Sequence, residues 1–360
     1  MKRRQLLAAL TAASLGRLAV ASTGAPRLEA YPFQLGVASG SPTDSSVVLW
    51  TRALPLNPLN NPWATQTLEL RWELATDPGF TQLLRQGSVQ ALPMLAHSVH
   101  VEPQGLPPDT VLYYRFMLGD AVSPAGRTRT LPAPDQPKDR LRLAFASCQR
   151  LGVGLFGAYT RLLEEDVDLI AFVGDYIYES GAYPSAALPQ GLAPASDLAG
   201  YRLHYETHKR EPTLQAAHAA VPWLLTWDDH EVMNDYAGGP LVGVGSRDAR
   251  RRASAYQAYY EHMPLPLASL QRGLLGLTEQ GEELRLYGHR AWGRLASLHL
   301  LDCRQYRSPH ACRGLASLID PDDCKALRSP EHSLLGAAQA QWLHGSLGQQ
   351  ARPWNLILQT

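Results

Sequence analysis

Three apolar runs in this 360-residue chain each end on side chains that can hold a metal or move a proton. "FASC" stops at Cys148, "FVGDYIY" places Asp175 and Tyr178 three positions apart, and "LLTWDDHE" ends in Asp228, Asp229, His230 and Glu231. Singly, each has an ordinary explanation. Cys148 can be a small buried hydrophobe, Asp175 a cap for the turn that follows, Tyr178 core aromatic surface, and the acidic stretch a solvated loop. Together, a thiolate, a phenolate, carboxylates and an imidazole at the ends of successive strands predict one metal site. A thiolate and a phenolate beside carboxylates suit a small, highly charged ion such as ferric iron, and the remaining carboxylates suit a hard divalent ion. Two such ions sharing a carboxylate polarise a phosphoryl oxygen, activate water and stabilise the leaving oxygen. Hydrolysis of a phosphate ester is the chemistry this set predicts.

Those residues need a scaffold that brings three strand ends to one rim. Residues 140–360 have the grammar for it: "LRLAFAS", a helical stretch over 157–165, "DLIAFVG", a long helical stretch through "DLAGYRLHYETHKREPTLQAAHAA", then "PWLLTW". Strands apolar on both faces and joined by helices predict parallel α/β packing, whose ligands sit beyond the carboxyl ends of the strands. Further on, "GSRDARRRASAYQAYYEHM" and "LLGAAQAQWLHGSLG" read as helices, and "LRLYG" with "RLASLHLLD" as a strand pair. No G-x-G-x-x-G follows the first strand, which argues against a dinucleotide-binding enzyme. Residues 31–131 differ: short alternating stretches such as "LELRWELA" and "VLYYRFML", separated by Pro and Gly, predict an all-β fibronectin III or immunoglobulin-like sandwich with a tyrosine corner near Tyr113. Three prolines near residues 132–139 mark the linker.

Thirty-three basic residues balance thirty-three acidic ones, with no dense run of either sign, so nothing attracts a nucleic acid or an anionic membrane nonspecifically. Residues 1–30, with Arg3 and Arg4 ahead of a mild apolar core, read as a twin-arginine export signal, which implies the export machinery as a partner and a periplasmic or extracellular destination. No other window suits a membrane span. Of the four cysteines, Cys312 and Cys324 flank a loop and make the easiest disulfide in an oxidising compartment, which leaves Cys303 as a buried free thiol.

The combination "FQLGVASGSPTDSSVVLWTRA", "FASCQR", "FVGDYIYE", "QAAHAAVPWLLTWDDHEV", "AYQAYYEHMPLP" and "LLDCRQYRS" resembles the PhoD-type alkaline phosphatases and phosphodiesterases, a branch of the metallophosphoesterases, from about residue 32 onward. The resemblance implies a secreted enzyme acting on phosphomonoesters or phosphodiesters, with a sandwich domain ahead of a four-layer α/β/β/α catalytic domain, and with iron and calcium as cofactors. Carried over by motif, Cys148, Asp175 and Tyr178 hold the ferric ion and Asp175 bridges to the second metal. Asp229 and His230 stand where the wider superfamily has the asparagine and histidine of a glycine-asparagine-histidine motif. That implies a metal ligand at Asp229 and a catalytic His230, which either protonates the leaving alkoxide or hydrogen-bonds a phosphate oxygen. Asp228 and Asn234 are expected to support these ligands. Family members continue past the equivalent of "WNLILQT" into a glycine-aspartate-x-histidine stretch, so the expectation here is a truncated chain with an incomplete catalytic domain. The alternative is a member that keeps the fold but binds phosphate groups or a partner without catalysis.

Overall fold

The computed structural model describes residues 28, 30–57, 61–154, 156–238, 247–272, 283–311, 324–349 and 352–360. Residues 1–27 and 29 of the expected export signal, and Cys312 with its expected disulfide, lie outside the described residues.

The first part of the chain supplies β1 (Val37–Gly40), β2 (Val48–Arg52), β3 (Leu68–Ala75), β4 (Leu83–Ala91), β5 (Ser98–Val101), β6 (Val111–Leu118), β7 (Ala121–Val122) and β8 (Gly126–Arg129). On β3, Leu70, Trp72 and Leu74 turn inward while Glu69 and Arg71 face water, the period of two that a half-buried strand requires. One antiparallel sheet runs β4-β3-β6-β7, with β8 also on β6. Its inner face packs on the layer β5-β2-β1, where Leu70, Leu74, Leu112, Tyr114 and Phe116 meet Val37, Leu49 and Val99 in one core. Of the two adjacent tyrosines of β6, Tyr114 is the buried one.

The second part adds β9 (Leu143–Ala146), β10 (Leu169–Val173), β11 (Trp223–Thr226), the short ribbon β12 (Leu270–Arg272) with β13 (Glu283–Leu284), and β14 (Gly288–Trp292), β15 (Ala296–Leu300) and β16 (Trp354–Leu358). Strands β9, β10 and β11 are parallel neighbours, with Ala171 opposite both Phe145 and Leu224. β1 joins them in parallel through the pair Gly40 and Trp223, so β5-β2-β1-β11-β10-β9 is one six-stranded sheet. Sequence patterning separates the two halves at the proline-rich linker; in space a shared sheet joins them. Only glycine fits at that joint, because a Cβ on Gly40 would stand 2.8 Å from the Trp223 carbonyl oxygen and from Pro264.

Both faces of β10 are covered. Ile170 and Phe172 pack with Trp223 and Leu225 against the helices, while Leu169 and Ala171 meet Trp292, Leu298 and Leu358 of the second sheet, β14-β15-β16. The helices are α1 (Gly157–Glu164), α2 (Leu198–Lys209), α3 (Pro212–Ala220), α4 (Arg247–His262) and α5 (Gly336–Gln349). The long helical pattern expected after Asp197 is two helices, because Pro212 lacks an N–H and can only open a helix, where the Glu211 carboxylate accepts from Leu214 N–H at 2.7 Å. The expected strand "LRLYG" also divides: Leu284 ends β13 and Gly288 begins β14. On the far face of β15, His299 meets Trp342 and Ser346 of α5.

Candidate metal centre

The loops after β9, β10 and β11 are sewn together through their backbones. Cys148 N–H donates to the Gly174 carbonyl at 3.0 Å, and Gln149 N–H to that of Asp175 at 3.1 Å, which fastens the first loop to the second. The second is fastened to the third by Glu231, whose carboxylate accepts from the N–H groups of Asp175 (3.1 Å), Tyr176 (2.7 Å) and Asp228 (2.8 Å). The approach is so close that a Cβ on Gly174 would lie 2.3 Å from the Asp228 nitrogen, and Gly174 also has φ +110°. Cys148 and Asp175 adopt left-handed backbone at φ 55° and 57°. Such conformations cost about 1–3 kcal/mol for residues with a side chain and persist where the surroundings enforce them, commonly at ligand sites.

Within this frame Asp175, Asp229 and His230 offer one donor atom each, all lying within 4.8 Å of one another. Asp175 Oδ1 is buried and has no hydrogen-bond partner. The Cys148 thiol and the Tyr178 phenol interact electrostatically with the Asp175 carboxylate and with each other, although Cys148 is not one of the three groups that share the 4.8 Å cluster. Cys148 is exposed rather than a packed hydrophobe. Burial, and next the neighbouring anions, raise the proton affinity of the Cys148 thiol and the Tyr178 phenol. Burial also raises that of Asp175, with Asp228 and Asp229 adding to the effect. Three groups that resist ionising side by side, with one carboxylate oxygen left unsatisfied, fit a cation, whose charge reverses each of these effects.

His230 Nδ1–H donates to Glu179 Oε2 at 2.7 Å, and its ring lies 4.4 Å from that of Tyr178. Burial works against a charged His230, but the hydrogen bond and charge of Glu179 outweigh it and raise its pKa. Asp228 accepts from Arg304 Nε at 2.5 Å, and the same guanidinium stands 3.6 Å from Asp229. Asp229 Oδ2 accepts from Asp235 N–H at 2.5 Å. Asn234 is exposed; its side-chain amide donates to Asp235 and its backbone N–H to Glu179. Arg150 lies over the Tyr178 ring at 5.0 Å. Cys303 is a buried free thiol whose Sγ lies 3.6 Å from Gln359 Oε1, and Asp302 and Asp228 are the charges that act on it.

Sequence reasoning named Glu231 only among strand-end groups and gave no role to Glu179, Arg304 or Arg150. Glu179 and Glu231 each lie within a few positions of a named ligand, which was the available signal. Arg304 came only with the fold, since its motif is seventy-odd residues beyond Asp228.

Among the described residues, no helix is long and apolar enough to cross a membrane. Residues 143–360 match the family described as PhoD-like phosphatase, and residues 19–132 match the N-terminal domain of PhoD-like phosphatases. Alkaline phosphatase D of Bacillus subtilis (strain 168) is 43% identical over 96% of this chain and 60% of its own length. A solved structure described as "Structure of PhoD" superposes with a TM-score of 0.82 and 43% identity, covering 92% of this chain and 63% of that one. The chain therefore spans about three fifths of the length of these relatives. Agreement of family, sequence and fold over both parts of the chain leads to one conclusion: it belongs to the PhoD-like phosphatase family.

Proposed function

We propose that this chain carries the metal centre of an exported phosphoesterase that hydrolyses phosphomonoesters or phosphodiesters. The observation that carries the reading is the unpartnered, buried Asp175 Oδ1 among donor atoms that converge within 4.8 Å. Cys148, Asp175 and Tyr178 would hold ferric iron, and Asp175 with Asp229 would hold calcium; bound there, the metals supply charge to polarise the phosphoryl group and acidify water. The helix-sheet-sheet-helix order from α3 through β10 and β15 to α5 supports the four-layer arrangement expected for such a domain.

His230 is the group that moves or holds a proton. Glu179 fixes the ring through Nδ1 and favours its charged form, which leaves Nε2 to donate to a phosphate oxygen or to the departing alkoxide. Arg304 offsets the charge of Asp228 and Asp229 and keeps both carboxylates in place before a cation arrives. The arginine pair near the N-terminus supports twin-arginine export to the periplasm or cell exterior.

Elemental analysis of the purified protein, alongside rates on p-nitrophenyl phosphate and bis(p-nitrophenyl) phosphate, tests this. Bound iron, with hydrolysis of one ester class that disappears in Cys148→Ala and Asp175→Ala, supports it. Wild-type protein that holds no iron and matches those variants on both esters removes it.

A further inference from the structure

A polar cavity lies apart from the candidate metal centre, where β1 leaves the edge of β11. The pairing of β1 with β11 is the single register Gly40 with Trp223, so beyond it the Leu224–Leu225 stretch of β11 keeps β10 on one side and has no paired strand on the other among the described residues. A cavity of about 150 Å³ occupies that gap. Leu225 precedes Asp228 by three residues, about 10 Å of extended chain, which sets the cavity apart from the ligand cluster.

Its polar lining is Ser41, Ser269, Tyr287, Arg285 and Arg290, with no carboxylate among the described residues that line it. Arg290 Nη1 donates to the His289 carbonyl at 2.8 Å, while its Nε is shut off from solvent and has no partner. Burial depresses the basicity of this guanidinium, and the exposed Glu102 is the charge that offsets the effect. Arg285 stacks on the Tyr287 ring at 4.4 Å, which turns a second guanidinium to the same wall. A guanidinium N–H shut off from water without a partner is costly, and an anion in the cavity would remove that cost. The volume is well below the roughly 300 Å³ at which drug-sized ligand sites begin. It suits a tetrahedral oxyanion with few other atoms.

We propose that this cavity is an anion site for inorganic phosphate, held by Arg290 and Arg285 with hydroxyls from Ser41, Ser269 and Tyr287. The site does not depend on the metal centre or on the hydrolytic reading. Guanidinium groups recognise phosphate through paired N–H donors, which a lysine could not reproduce.

The test is thermal unfolding of the full chain in increasing inorganic phosphate, with sodium chloride at matched ionic strength as reference. Expected is a phosphate-dependent rise in Tm that persists in Asp175→Ala, whose metal cluster is broken, and that needs at least about tenfold more phosphate in Arg290→Gln. Arg285→Gln alters an exposed side chain, so it is folded whatever Arg290→Gln does, and it should weaken the response in the same direction. The proposal fails if phosphate acts no better than chloride. It also fails if the response vanishes in Asp175→Ala, or if it survives unchanged in Arg285→Gln and in a folded Arg290→Gln.

Discussion

Glu231 accepts a hydrogen bond from the backbone N–H of Asp175 at 3.1 Å, across the gap between two strand ends that lie 56 residues apart in sequence. The same carboxylate holds Tyr176 and Asp228, so one buried side chain sets the spacing of the loops that carry the candidate ligands. Burial pushes its pKa up to about 8, against the lowering effect of the three N–H donors. Glu231 is a positioning residue, and its removal should be felt both in stability and in metal content.

Glu231→Ala leaves three backbone donors without an acceptor. At about 1–3 kcal/mol for each buried orphan, the loss is about 3 kcal/mol or more. Glu231→Gln keeps an acceptor oxygen and should cost less than half as much. Denaturant midpoints with iron content give the comparison, and equal midpoints for the two variants would contradict this role.

Gly174→Ala should disrupt the same junction from the other side. A methyl group there meets the Asp228 nitrogen at 2.3 Å on a backbone with φ +110°, so both sterics and conformation oppose it. A loss of about 3 kcal/mol together with lost iron is expected in thermal unfolding and elemental analysis. A variant as stable and as metal-rich as wild type would mean that the two loops are not locked together.

Glu179→Gln separates orientation from binding. The amide cannot favour the charged His230 as the carboxylate does, so kcat on the better p-nitrophenyl ester should fall about 10–100-fold while bound metal stays at the wild-type level. A fall in metal content that matches the fall in rate would make Glu179 a structural support for the cluster instead.

Acid should weaken the fold through two buried histidines that are not among the candidate ligands. His100 and His208 are each pushed down by burial to about 4. Their unfolded value is near 6.5, so between about pH 4 and 6.5 the unfolded chain binds protons that the native chain does not. Stability therefore rises with pH across that window and is lost as pH falls through it, by up to about 3 kcal/mol for each histidine. Urea midpoints at about pH 7 and 4.5 measure this. His100→Gln retains a donor toward the Tyr260 and Met263 carbonyls and should flatten the slope.

Much of the candidate site was legible because its residues end apolar strands. Cys148 follows β9, Asp175 follows β10 and Asp229 follows β11, and parallel strands joined by helices must bring such ends to one rim. Pattern also found most of the strands and helices, since periodicity is a local property. It failed at Pro212, where one proline split a continuous helical pattern, and at "LRLYG", where a turn divided the run. The merger of the two halves into one sheet was illegible, because it depends on a single parallel contact between Gly40 and Trp223 across 183 positions of sequence.

Residue type and order determined the donor chemistry and the strand ends that carry it, because ligand identity and strand periodicity are written in neighbouring positions. Tertiary structure decided which groups hold those donors in place: Glu231 across two loops, Glu179 on His230, and Arg304 on Asp228. Hydrogen bonds and ion pairs of this kind act through a few ångströms of space between segments whose separation along the chain is arbitrary, and only packing brings such segments together.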